Sequence, residues 1–116
     1  MAFDQVLADR LEDIIAIHFE DMRLIPKRMF GGICYTLNGS MCFGIFNDML
    51  IVRVGVEAAN VLLKESHVRQ MNLTGKSMKG WLTIEPEAIY EDEELLRFCE
   101  TAVEFVKTLP KKILSS

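Results

Sequence analysis

Cationic charge is what this sequence most lacks: 13 Lys and Arg stand against 17 Asp and Glu, for a net charge of −4 and a pI near 5.2. Autonomous nucleic-acid-binding domains carry a basic surface for phosphate, so direct nucleic-acid binding is not expected. Cysteine is also scarce, at three residues without a framework spacing, which fits free thiols in a reducing compartment rather than a disulfide scaffold. No apolar run approaches the ~20 residues that span a bilayer. The start of the chain, with Asp4 and Asp9, lacks the basic-then-apolar pattern of a secretory signal. The membrane is therefore not an expected partner, and a cytoplasmic location is.

The 116 residues are half apolar and about a quarter charged, a globular composition that suits one domain over residues 1–116, with 111–116 expected to fray. Phe3, Val6, Leu7, Leu11, Ile14, Ile15 and Met22 recur at helical spacing and predict an amphipathic first helix, which Pro26 prevents from continuing. Lys27–Leu37, Ser40–Phe46 and Met49–Val54 are rich in β-branched, aromatic and thioether side chains and read as strands. Asn38-Gly39 between the first two predicts a type I′ hairpin, and Asn47-Asp48 a second, weaker one.

Val56, Ala59, Leu62 and Leu63 mark a short helix within Gly55–Ser66. Val68–Leu73 and Trp81–Glu85 read as two more strands, joined by a polar, glycine-containing loop from Thr74 to Gly80. Beyond Pro86, the acidic run Glu91–Glu94 opens a helix carrying Leu95, Phe98, Cys99, Ala102 and Val106, its carboxylates at the positive end of the dipole. The expected fold class is α+β: a two-layer sandwich in the order α-β-β-β-α-β-β-α, an antiparallel meander with helices on one face.

With two-residue turns, Thr36, Met41 and Val54, then Cys34, Phe43 and Val52, then Ile45 and Leu50 share the core face of the meander. The opposite face carries Tyr35, Cys42 and Arg53, then Ile33, Gly44 and Ile51, then Gly31, Phe46 and Met49, and is too apolar for a solvated face. Cys34 and Cys42 then point to opposite sides and cannot share a metal. Gly44 leaves a dip beside a cation and a ring, so Tyr35, Gly44, Ile51 and Arg53 form a candidate binding surface, with Arg28 and Lys79 as further cationic candidates. Either a terminal segment or the Thr74–Gly80 loop covers this face, or it is an interface with a partner or a second copy.

Catalytic patterns are missing. Gly31-Gly32 is not followed by Gly-Lys-Ser/Thr, and Gly75-Lys76-Ser77 lacks the upstream glycine of a phosphate loop and joins strands. His18 borders the buried stripe of the first helix and His67 ends the short helix. Neither has a local cysteine or carboxylate pattern for a metal or a nucleophilic dyad. No catalytic residue, metal or cofactor is expected.

Arg28-Met29-Phe30-Gly31-Gly32, the Asn38-Gly39 turn with Met41 and Gly44 beyond it, Asp48, Leu50, Arg53-Val54 and Gly75-Lys76-Ser77-Met78-Lys79-Gly80, in this order, resemble the TfoX/Sxy N-terminal domain family over roughly Lys27 to Pro110. The resemblance implies a two-layer, secretion-chaperone-like α+β fold and bacterial, competence-regulator-like proteins. Full-length regulators of this kind carry a second, helical domain after this one, and this chain reads as the N-terminal domain standing alone. Two functions are expected. One is a non-enzymatic protein-interaction module in transcriptional or competence regulation, acting through the exposed sheet face. The other is a small-molecule or anion-binding domain using Arg53, Tyr35 and the dip at Gly44.

Overall fold

The computed structural model describes residues 4–29, 31–73 and 76–110. Phe3, Thr74-Gly75 of the expected loop and the tail from 111 onward lie outside them. Helix α1 (Gln5–His18) begins where Asp4 caps it, its carboxylate accepting from the N–H of Val6 at 2.9 Å and of Leu7 at 3.3 Å. Strands β1 (Ile25–Met29), β2 (Gly32–Leu37), β3 (Ser40–Phe46) and β4 (Met49–Arg53) follow. Then come α2 (Val56–Leu62), β5 (Val68–Leu73), β6 (Lys76–Ile84), a 3-10 turn at Pro86–Ala88 and α3 (Asp92–Val106).

The fold is α+β, with helical and strand blocks in the expected order and a six-stranded antiparallel sheet, β1-β2-β3-β4-β6-β5. The segment Lys27–Leu37, expected as one strand, doubles back: Met29 pairs with Gly32 and Ile25 with Thr36. The next hairpin is the expected one, since Asn38 and Gly39 hold φ of 54° and 86°, the positive pair a type I′ turn needs.

One extra residue then changes the faces. Tyr35 pairs with Phe43 and Thr36 with Met41, so Cys42 is the inserted residue of a β-bulge. Beyond the bulge β2 is displaced by one position against β3, and a one-residue slip turns every side chain of a strand over. Tyr35 and Ile33, expected on the open face, therefore lie with Phe43, Ile45, Leu50 and Val52 against the helices, while Cys34 faces the other way. The rows of β3 and β4 keep their expected faces from Phe43 onward.

Leu7, Leu11 and Ile14 of α1, Ala59 and Leu62 of α2, and Leu95, Phe98, Cys99, Ala102, Val103 and Val106 of α3 join the inner sheet face in one buried cluster. At this cluster's centre the Phe43 ring packs against Tyr35 at 5.6 Å and Phe19 at 6.5 Å between centroids. All three helices thus use one side of the sheet. Among the described residues, no helix is long and apolar enough to cross a membrane.

Candidate functional site

A second, larger bulge builds the site. Gln70 pairs with Leu82 and Met71 with Met78, so Lys79, Gly80 and Trp81 bow out from β5. Much of the segment expected as a loop is therefore strand: β6 begins at Lys76 and the irregularity is confined to Lys79–Trp81. On its other side β6 stays in register with β4, where Trp81 pairs with Arg53 and Thr83 with Ile51.

Two glycines let the chain leaving β4 cross this bulge. The N–H groups of Val54 and Gly55 both donate to the Gly80 carbonyl, at 2.9 and 3.1 Å. Gly55 and Gly80 have φ of 86° and 84°, a region that side chains disfavour. A Cβ on Gly80 would lie 3.2 Å from the Gly55 carbonyl carbon, and one on Gly55 would lie 2.6 Å from the Phe105 ring. The bare backbone is what lets Phe105, near the end of α3, close over this crossing.

Around it, Arg53, Val56, Lys79, Trp81 and Phe105 line a cleft of about 110 Å³. The Arg53 guanidinium carbon stands 5.1 Å from the Trp81 ring centre and 6.0 Å from that of Phe105, within cation–π range of both. Among the described residues, no carboxylate pairs with Arg53 or Lys79. A second cleft, of about 210 Å³, adjoins it across Lys79 and Gly80 and is lined by Val56, Ala59, Leu63 and Gln70. A broader hollow beyond Phe105 carries Glu57 and Glu104.

Of the six residues expected to form a binding surface, the structure brings together Arg53 and Lys79. Ile51 is next along β4 on the same face as Arg53 but is 6% exposed. Tyr35 is turned into the core, where burial first, and the Glu12 carboxylate second, push its hydroxyl up to about 12. The dip expected at Gly44 is filled, because a Cβ there would lie 2.5 Å from the Ile33 carbonyl oxygen and 3.0 Å from Cys34 Cβ. The missing side chain draws β2 and β3 together instead of opening a hollow. Arg28 is on edge strand β1, separated from β4 by β2 and β3.

Trp81, Phe105 and Val56 were absent from the expected surface. Trp81 could have been found from its own rarity, as the one tryptophan of the chain, in a strand end beside two glycine-bearing turns. Phe105 lies 52 residues from Arg53 in sequence, and only packing of α3 joins them. A separate polar group also assembles by strand pairing. His67, Glu85 and Glu87 bring potential ligand atoms within 4.8 Å of one another. His67 Nδ1 is 3.1 Å from Glu85, whose other oxygen pairs with Arg69 at 3.2 Å.

The three thiols are buried. Burial pushes the Cys42 thiol up to about 12 against the pull of Arg53, and raises Cys99 and Cys34, the last opposed by Lys27. Their environment suppresses the thiolate, the nucleophilic form.

An open antiparallel sheet with helices on one face and a bulge-built cleft at one end places the molecule among α+β sandwich domains. Comparison with protein-family models matches the TfoX N-terminal domain over residues 22–106. The chain belongs to the TfoX N-terminal domain family, and the matched region spans the whole sheet and every residue of the cleft. No curated protein and no solved structure matches the chain.

Proposed function

We propose that this protein is a non-enzymatic regulatory module that acts by contact with another protein, through the Arg53–Trp81 cleft at the end of its sheet, where α2 and α3 meet β4 and β6. Its family is associated with competence regulation, and the proposal places the chain in that kind of role. The observation that carries it is the Arg53–Trp81 cation–π pair, flanked by Phe105 and by Val56, which is 52% exposed. Trp and Arg dominate the binding energy of protein interfaces, and exposed apolar neighbours exclude water around them.

The contact area lies at the end of the face rather than at its centre, because Cys34 and Ile51 are 2% and 6% exposed and offer a partner little surface. Affinity capture from cells that make the protein, with wild type and Trp81→Ala compared quantitatively, tests the reading. Proteins retained by wild type fall at least about tenfold with the variant, as for a hot-spot residue. Equal retention contradicts it. Light scattering over a concentration series tells whether the partner is a second copy. A second reading, a small-molecule or anion site, is favoured by the small cleft beside the same two cations.

A further inference from the structure

Resting on the protein-contact reading, we infer that the Arg53–Lys79 cleft is a carboxylate subsite, and that the partner presents an acidic side chain next to an aliphatic one. Cation placement is the first ground. The chain has four more acidic than basic groups, yet these two cations face one cleft with no carboxylate partner among the described residues. Arg53 is held by rings instead of by an acid. The Trp81 and Phe105 rings flank its guanidinium at cation–π distance and take up none of its N–H donors, which leaves those donors for the bidentate pairing that carboxylates favour.

The second ground is the adjoining space. The cleft of about 210 Å³ across Lys79 and Gly80 sets Val56, Ala59 and Leu63 beside the amides of Asn60 and Gln70, room for an aliphatic side chain with hydrogen-bonding groups next to it. The two clefts share Val56, Lys79 and Gly80, so a short peptide spans both by crossing over a residue without a side chain. Glu57 and Glu104 lie in the hollow beyond Phe105, and Glu104 is already paired with Lys107 at 2.9 Å. Their charge disfavours an acidic ligand extending that way and directs it across Gly80 into the second cleft.

Trp81 is the single tryptophan, so intrinsic fluorescence reports this site alone. The probes are the capped peptide Leu-Glu-Leu-Asp-Leu, its twin with Gln and Asn in place of Glu and Asp, and inorganic phosphate, each titrated into wild type, Arg53→Met and Lys79→Met. The acidic peptide gives a saturable change, weakened at least about tenfold in the amide twin and in Arg53→Met, and weakened by added salt. Lys79 is exposed, so Lys79→Met retains the fold and gives an independent loss of several-fold. Equal binding of the amide twin overturns the carboxylate subsite while leaving the Trp81→Ala capture result, and with it the contact reading, standing. Phosphate binding as tight as the peptide overturns the inference in favour of a small-anion site. Absence of any response to the acidic peptide at millimolar concentration overturns it as well.

Discussion

A methyl group on Gly55 would meet the Phe105 ring at 2.6 Å and would hold the backbone at a φ of 86°. Both strains act at once, so Gly55→Ala lowers stability by about 2 kcal/mol. Urea unfolding measures it, and an unchanged midpoint would show that Phe105 yields freely. Ile51 argues a different kind of sensitivity. A substitution by Asp would place an unpaired charge at a position now 6% exposed, so Ile51→Asp costs about 3 kcal/mol of stability. A normal unfolding midpoint would mean that the face around Ile51 opens to water. Buried acids give a third test at this scale. Cys42 has an ordinary value of 9.0 and Tyr35 of 10.0, and burial raises each to about 12 in the fold. The fold favours their neutral forms, so this contribution is complete below pH 9 and is lost as pH rises toward 12, where the unfolded chain releases these protons first. Urea midpoints measured from pH 7 upward are therefore flat and then fall above about pH 9; a rise in that window contradicts the burial of these groups.

Among the elements, Arg97 ties α3 to the segment that follows α2. It donates to Glu65, just beyond α2, at 2.8 Å and to Glu94 at 2.8 Å, which lowers the Glu94 carboxyl below its ordinary value. Because the group is 38% exposed, Arg97→Met costs only about 1 kcal/mol, and the difference shrinks in high salt. A salt-independent loss would point to its stacking on Phe98 rather than to charge. The bulges explain how much of this architecture was legible. Turn chemistry at Asn38-Gly39 and alternation along β3 and β4 were readable because they are local, and the helices because apolar spacing and end signals agreed. An inserted residue at Cys42 leaves no such signal. Its effect, turning Tyr35 inward, depends on how β2 packs against β3, so the β2 member of the expected binding row was read from the wrong register. Lys79–Trp81 likewise has loop-like composition, and nothing local says that it bows out of a strand.

Taken whole, the molecule spends its apolar surface unevenly. Helices cover one side of the sheet, and the other side is tightly closed at its centre, where Cys34 and Ile51 are buried. At the β4–β6 end an arginine in cation–π contact with Trp81, an exposed valine and a second cation remain at the surface. Arg53 was visible from sequence as a cation on an apolar face. Its neighbours Trp81 and Phe105 were not, since one reaches it through cross-strand pairing and the other through the docking of α3. The most direct measurement is photo-cross-linking in cells that make the protein, with a photoreactive residue placed at Val56 or, as a control, at Ile17 on α1, which is 70% exposed. A discrete protein adduct from position 56, lost with Trp81→Ala and absent from position 17, is the predicted result. Adducts that form equally from both positions, or that survive Trp81→Ala undiminished, would contradict a contact surface at the Arg53–Trp81 end.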